Sequence, residues 1–256
     1  MANIDNQPRY GASVARGAEA IDAGLRAHMI RVYNYMTGAL VITGLVAWFA
    51  YQAAGGADIH LTSEGIAGLT SFGEALFNPL ALIVLFFGTL GLVWFISFRI
   101  NRLQVSTALT LFLVYSAVLG LFLSSIFLTY SGQSIARVFF ITAGTFGVTS
   151  LWGYTTKRDL TGMGSFLFMG LIGIILASVV NMFFPSGPLS FAISVIGVIV
   201  FTGLTAYDTQ KIKEMYSAAD DGTMIGRKAV MGALSLYLDF VNLFLMLLRL
   251  FGNSRN

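Results

Sequence analysis

Seven long apolar stretches, separated by short polar segments, make up most of the chain. Each is about 20 residues long, which is the length that an α-helix needs to cross the roughly 30 Å hydrocarbon core of a bilayer. Because a helix satisfies its own backbone hydrogen bonds in lipid, the pattern predicts an all-α membrane protein. The predicted spans are residues 32–52, 79–99, 106–128, 135–154, 163–184, 189–209 and 229–251.

The polar segments divide the chain into a polar cytoplasmic tail (1–31), a membrane domain (32–252) and a short C-terminal tail (253–256). Five apolar residues near the end of the first tail have helical spacing. They permit a short helix lying on the membrane surface, and an irregular tail is the alternative. These residues are Ala20, Ile21, Leu25, Met29 and Val32.

Composition agrees with the hydropathy pattern. The 256 residues are 56% hydrophobic and 11% charged, whereas soluble domains are about 25% charged. The chain has no cysteine, which excludes disulfides, thiolate nucleophiles and cysteine–metal sites. The two histidines, His28 and His60, are predicted to lie outside the spans, and no His-rich metal motif is present.

Lysine and arginine set the orientation. With the N-terminus in the cytoplasm, all but three of the fifteen basic residues fall on the cytoplasmic side. The exceptions are Arg137, Arg249 and Arg255. Seven spans then place the C-terminus outside, unless the last segment is re-entrant, in which case both termini are cytoplasmic.

The last apolar segment, Gly232 to Gly252, carries a carboxylic acid near its middle. A helix places Ser235, Asp239, Asn242, Met246 and Arg249 on one stripe, at spacings of three and four residues. An acid near the bilayer centre costs about 2.5–3.5 kcal/mol on insertion scales, so Asp239 is expected to face protein or water and to have a partner.

The predicted partner is Asp208, at the inner end of the sixth span, since spans joined by a loop of about 20 residues pack as antiparallel neighbours. Two carboxyl groups in a poorly hydrated site resist carrying two charges, so they are expected to share one proton. Two simpler interpretations stay open. Asp208 pairs with Lys211 one turn away, or Asp239 forms a structural hydrogen bond with Asn242 or a hydroxyl group.

Small residues at spacings of four predict close helix packing in two spans. Ser116, Gly120 and Ser124 form such a ridge on the third span, and Gly173 and Ala177 form one on the fifth. These ridges indicate a helix bundle and carry no information about function.

The segments around the two aspartates resemble the signature stretches of a known family. LTAYDTQKI at 204–212 and ALSLYLDFVNLFLMLLRLFG at 233–252 resemble those of the Bax inhibitor-1 (transmembrane Bax inhibitor motif) family. GYTTKRDLTGMG at 153–164 is similar to its bacterial members, as is the spacing of all seven spans. The resemblance covers nearly the whole chain after the tail.

The resemblance implies a seven-helix bundle with the C-terminal helix in the centre, wrapped by two groups of three helices. It also implies a pH-sensitive calcium leak across the bacterial inner membrane, gated by Asp208 and Asp239, with Ser235, Asn242 and Thr205 as polar neighbours. The resemblance further implies that an arginine at the end of the second span, Arg99 or Arg102, acts as a latch that holds the two aspartates in their closed state. The ordinary interpretation of either arginine is a positively charged residue that anchors the span on the cytoplasmic side.

Calcium is treated as a transported ion, bound transiently by Asp208 and Asp239, because carboxylate oxygens suit calcium and two acids form only a weak cage. The expected partners are the lipid bilayer, calcium ions and protons, with no nucleic acid and no resident cofactor. The sequence does not reveal the oligomeric state.

The sequence also bears on three other functional classes. An intramembrane aspartyl protease needs glycines around its second aspartate, whereas Leu236, Tyr237 and Leu238 precede Asp239, so no enzyme is expected. A retinal protein needs a buried lysine, which the seventh span lacks. A non-transporting regulator that binds a membrane protease or a stress partner is the alternative function.

Overall fold

The computed structural model describes residues 7–62, 65–253 and 255, and the side chains of residues 7–22 and of Leu61 lie outside that description. Within the described residues, seven helical segments are long and apolar enough to cross a bilayer. They are Ala23–Ala53, Pro79–Arg102, Val105–Thr129, Gly132–Thr155, Thr161–Phe183, Gly187–Met215 and Gly222–Phe251. The hydropathy pattern therefore predicted the spans correctly.

The helices are α1 (Gln7–Ala53), α2 (Ser71–Leu76), α3 (Pro79–Arg99), α4 (Val105–Leu123), α5 (Ile126–Thr129), α6 (Gly132–Thr155), α7 (Thr161–Phe183), α8 (Gly187–Met215) and α9 (Gly222–Phe251). Single 3₁₀ turns lie at Gly56–Asp58 and Ile100–Arg102. A short antiparallel hairpin pairs β1 (His60–Thr62) with β2 (Gly65–Ala67) in the loop after α1, where no strand was predicted.

Helix α9 lies in the centre of the bundle, as the fold class predicts. It packs against α1 and α4, which with α3 form the first group of three helices, and against α6 and α8, which with α7 form the second group. The remaining spans are peripheral, because α3 packs mainly on α4 and α7 mainly on α8. Most of the α9 span is buried, whereas α3 and α7 turn most of their apolar side chains outward, as helices that face lipid on several sides do.

The first helix differs from the predicted organisation. Instead of a short surface helix or an irregular tail before the first span, α1 is one continuous helix from Gln7. Met29 and Val32 pack into the core of the bundle rather than onto a membrane surface. Ala20 and Ile21, from the same predicted strip, have side chains outside the described set. His28 was predicted to lie outside the spans, but it lies within the first of them, Ala23–Ala53, and is buried, with 2% of its surface exposed.

The last span runs through the whole bundle. Helix α9 starts a few residues after Tyr216, whose ring lies 5.5 Å from the ring of His28 near the start of the first span. After α9 ends, the backbone N–H of Asn253 donates to the hydroxyl oxygen of Ser134, at the start of α6, across 2.8 Å. The re-entrant alternative is therefore wrong. Which end of the bundle faces the cytoplasm stays a prediction.

Close packing occurs at one of the two predicted small-residue ridges. Ser116, Gly120 and Ser124 are buried, and a Cβ added to Gly120 would lie 2.7 Å from the carbonyl oxygen of Thr43 on α1. On α7, by contrast, a Cβ added to Gly173 would meet no heavy atom within 4 Å. The second ridge is therefore wrong at Gly173, which is exposed on the peripheral helix α7, whereas Ala177 is half-buried and packs against the core.

Candidate functional site

The polar stripe predicted on α9 is buried to different degrees along its length. Asp239 is buried, with 6% of its surface exposed, and Met246, two turns later on the same stripe, is buried too. Ser235 and Asn242 are half-buried, and Arg249 is exposed near the C-terminal end of the helix. The carboxyl group therefore occupies the most enclosed polar position of the stripe.

Close approaches between α8 and α9 fix how the two helices align. A Cβ added to Gly232 would lie 3.1 Å from the side chain of Ile212, and one added to Gly197 would lie 2.7 Å from that of Met246. The helices are therefore antiparallel, and Asp239 stands at the level of Thr205. Asp208 lies about one helical turn nearer the end of α8, roughly 5 Å along the axis.

Within the described residues, neither of the two acidic side chains forms an ion pair. Asp208 is half-buried. The ion pair found among the described residues joins Lys228 to Asp220 instead of Lys211 to Asp208. The predicted Asp208–Lys211 contact is therefore not formed in this structure.

One oxygen of the buried Asp239 carboxyl group, Oδ2, has no hydrogen-bond donor among the described residues. Within the described part of the chain, no N–H or O–H group of another residue reaches its Oδ2 atom. The predicted structural bond to Asn242 or to a hydroxyl group is therefore absent at this atom. A buried acceptor without a donor is costly unless a proton is bound at the carboxyl group itself.

Hydroxyl groups connect α1, α6 and α8 close to this site. The hydroxyl oxygen of Ser150 on α6 lies 2.6 Å from that of Tyr33 and 2.9 Å from that of Thr209. Thr209 donates its own proton to the carbonyl oxygen of Thr205 across 2.7 Å. The chain therefore has one direction, in which Tyr33 donates to Ser150 and Ser150 donates to Thr209, the residue after Asp208.

Thr205, the predicted polar neighbour of the gate on α8, is buried at the level of Asp239. Its hydroxyl group donates to the carbonyl oxygen of Phe201 across 2.8 Å. Tyr33, Ser150 and Thr209 were missed. Their only signal is a polar residue within an otherwise apolar span, and such residues are too common to be singled out.

The structure does not bring either candidate latch residue to the aspartates. Arg99 is the last residue of α3 and Arg102 ends the 3₁₀ turn after it, and both are exposed. Within the described residues, neither forms an ion pair or a hydrogen bond with Asp208 or Asp239. Arg227 on α9 holds this segment instead, through a hydrogen bond of 2.7 Å from its Nε to the carbonyl oxygen of Leu103. Both candidates therefore occupy the positions of ordinary charged residues beside a span.

Asp208 and Asp239 are two carboxyl groups without a third metal-ligating side chain beside them among the described residues. Among the residues that the structure describes, no three His, Asp or Glu side chains come together as metal ligands. Calcium takes about six to eight oxygen ligands, of which Asp208 and Asp239 would supply a minority. The arrangement can bind and release a proton, and it can attract a cation in transit.

Comparison with known proteins places the chain in a family. The family model described as "Inhibitor of apoptosis-promoting Bax1" matches residues 25–256. The inner membrane protein YbhL of Escherichia coli K12 is 48% identical over 235 residues, which cover 91% of this chain and 94% of that protein. An uncharacterised protein of Rickettsia prowazekii is 46% identical over 239 residues, covering 93% and 94%. An uncharacterised protein of Caulobacter vibrioides is 42% identical over 243 residues, covering 94% of each chain. The protein is therefore a member of the Bax inhibitor-1 family.

Proposed function

We propose that this protein is a pH-sensitive calcium leak channel of the bacterial inner membrane, gated by Asp208 and Asp239. The observation that carries the proposal is the environment of Asp239. Its carboxyl group is buried on the central helix, and its Oδ2 atom has no donor among the described residues. Ionisable groups inside a membrane protein are costly and usually functional.

The proposed closed state has one proton shared between the two carboxyl groups. A hydrogen bond between a carboxylic acid and a carboxylate is charge-assisted and roughly twice as strong as a neutral bond. Helices α8 and α9 are in close contact on both sides of the aspartates, at Gly232 and at Gly197. A single strong bond between the two aspartates would therefore keep the inner half of this helix pair together.

Leaving the singly protonated state would open the path. Loss of the shared proton places two negative charges next to each other in a poorly hydrated site, so α8 and α9 repel each other. Gain of a second proton replaces the charge-assisted bond by a weaker neutral one. The proposal therefore predicts the lowest leak at the pH where the pair holds one proton, with higher flux on either side.

Calcium fits the chemistry of the opened pair. Two ionised carboxylates attract a divalent cation, and the half-buried side chains of Ser235 and Asn242 supply further oxygen atoms on the same stripe. The small number of fixed ligands favours weak binding and release. A path of this kind allows calcium to pass without being stored.

Calcium flux into liposomes tests the proposal. The purified protein is reconstituted with a calcium-sensitive dye inside the vesicles, and the initial rate is measured across a range of pH. We expect a pH-dependent leak in the native protein and a flat profile in both Asp208→Asn and Asp239→Asn. Glu214→Gln is the matched control, because it removes an exposed acid from the same helix as Asp208.

Native pH dependence in both aspartate variants would remove the gate. If the native protein carried no flux at all, and a membrane protease co-purified equally with the native protein and Asp239→Asn, the alternative function as a non-transporting regulator would replace the channel.

A further inference from the structure

A lateral cleft separates α1 from α6 and faces the surrounding bilayer. Both helices pack against α9, but within the described residues they make little contact with each other. The gap between them has a volume of about 680 Å³. It is lined on one side by α1 from Arg26 to Met36 and on the other by α6 from Phe146 to Tyr154. This volume falls within the range of about 300–1,000 Å³ that is typical of ligand sites.

The length and the lining of the cleft match one lipid chain. From Arg26 to Met36 the helix rises roughly 15 Å, which is about half of the 30 Å hydrocarbon core and thus the depth of one leaflet. The walls are mostly apolar, and Ile30 and Leu151 leave 50% and 63% of their surfaces open to the outside of the bundle. An acyl chain can therefore enter sideways from the membrane.

The charge at the mouth of the cleft determines the headgroup. Arg26 is exposed at the end where α6 finishes. On the opposite wall, Nζ of Lys213 donates to the carbonyl oxygen of Tyr154 across 2.9 Å and lies 5.3 Å from the centre of the Tyr154 ring. Lys157 and Arg158 follow α6 and are also exposed. Basic residues next to an apolar groove between spans attract anionic phospholipid headgroups.

We propose that this cleft is a binding site for an anionic phospholipid, with one acyl chain between α1 and α6 and the phosphate on Arg26. The site is separate from the aspartate pair and does not depend on the channel proposal. The floor of the cleft contains Tyr33 and Ser150, the part of the hydroxyl chain that bridges the two helix groups. A bound lipid chain would therefore shield this bridge from the membrane.

Two substitutions separate the headgroup contact from the chain contact. Arg26→Gln removes the charge at the mouth. Arg31→Gln is its control, because Arg31 is also exposed on α1 but does not line the cleft. Gly147→Leu fills the cleft, since a Cβ at this lining position would meet no heavy atom within 4 Å. Gly144→Leu is its control, at a similarly open position of α6 outside the cleft.

The measurement is native mass spectrometry of the full-length protein in detergent with added phosphatidylglycerol or phosphatidylcholine of identical chains. We expect the native protein to retain phosphatidylglycerol preferentially. Arg26→Gln should lower that retention roughly fivefold, to the level of phosphatidylcholine, consistent with the contribution of one basic residue near a membrane surface. Gly147→Leu should reduce the binding of both lipids, and the two control variants should behave like the native protein.

Equal losses in Arg26→Gln and Arg31→Gln would overturn the proposal, because the effect would then reflect general surface charge. Native retention in Gly147→Leu would overturn it as well. Gel filtration and the unfolding temperature show whether each variant is folded. If Gly147→Leu does not fold, the comparison of Arg26→Gln with Arg31→Gln decides alone.

Discussion

The phenolic oxygen of Tyr237 lies 2.6 Å from the hydroxyl oxygen of Thr43, inside the bundle where α9 meets α1. The Thr43 oxygen is also 2.9 Å from the carbonyl oxygens of Ala39 and of Ser116 on α4. Because the single hydroxyl proton of Thr43 is directed to a carbonyl oxygen, Tyr237 is the donor in the pair. One buried contact thus joins the central helix to two helices of the first group.

The two partners of this contact are predicted to differ in their cost of removal. Thr43→Val leaves the buried hydroxyl of Tyr237 without an acceptor, which costs about 1–3 kcal/mol of unfolding free energy. Tyr237→Phe removes the donor itself and costs about 0.5–1.5 kcal/mol. Thermal or denaturant-induced unfolding in detergent measures both losses.

Thr142→Val is the control, because Thr142 is equally buried but its hydroxyl group donates to the carbonyl oxygen of Val138 within its own helix. A larger loss in Tyr237→Phe than in Thr43→Val would contradict the assigned donor.

A second prediction concerns the contact between α6 and α8. A Cβ added to Gly153 would lie 2.3 Å from the carbonyl oxygen of Ala206, which is backbone and cannot rotate away. Gly153→Ala should therefore push the two helices apart and destabilise the protein by about 1–3 kcal/mol, the usual cost of overpacking. The unfolding temperature in detergent reports this change.

Gly147→Ala is the matched control on the same helix. A Cβ at Gly147 would meet no heavy atom within 4 Å, and alanine favours helix by up to about 1 kcal/mol over glycine. Its unfolding temperature should be unchanged or higher. Equal destabilisation by the two substitutions would show that helix propensity, rather than the approach of α8, sets the effect.

The spans were predictable because a bilayer imposes a length and a composition on every crossing helix. The placement of Asp208 and Asp239 on neighbouring helices was predictable from the short loop between them. The contacts of Tyr33, Ser150 and Thr209 were not, since they depend on how α1, α6 and α8 rotate and slide against one another. The mistaken ridge at Gly173 has the same origin, because spacing along a helix does not reveal which face has a neighbour.

Asp159, in the loop before α7, provides a pH-dependent prediction outside the spans. Hydrogen bonds from the side chain and the backbone N–H of Thr161 lower the pKa of Asp159, and the backbone bond measures 2.8 Å. Because the pKa is lower in the folded protein than in the unfolded chain, this contact stabilises the fold above the ordinary carboxyl pKa of about 4. The stabilisation is lost as the pH falls through the lower, folded value.

Asp159→Ala should therefore lower the unfolding temperature at pH 7, and its difference from the native protein should shrink below about pH 4. Thermal unfolding in detergent at a series of pH values measures the difference. Glu214→Ala is the control, since Glu214 is exposed and forms no hydrogen bond to the start of a helix among the described residues. A difference that stays constant from pH 7 to pH 3 would show that the ionised form of Asp159 is not the stabilising one.

The last prediction concerns the hydroxyl chain from Tyr33 through Ser150 to Thr209, which ties α1 of the first helix group to α6 and α8 of the second. Tyr33→Phe removes only the first donor, so it should cost about 0.5–1.5 kcal/mol. Thr209→Val deprives Ser150 of its acceptor next to Asp208 and should cost about 1–3 kcal/mol. In the proposed channel, a weaker tie between the groups also raises the leak at the pH of lowest flux. Thr145→Val is the control, because Thr145 is also on α6. Among the described residues, its hydroxyl group donates to the carbonyl oxygen of Ile141 in its own helix. An unchanged leak in Thr209→Val, together with the expected loss of stability, would confine the chain to a structural role.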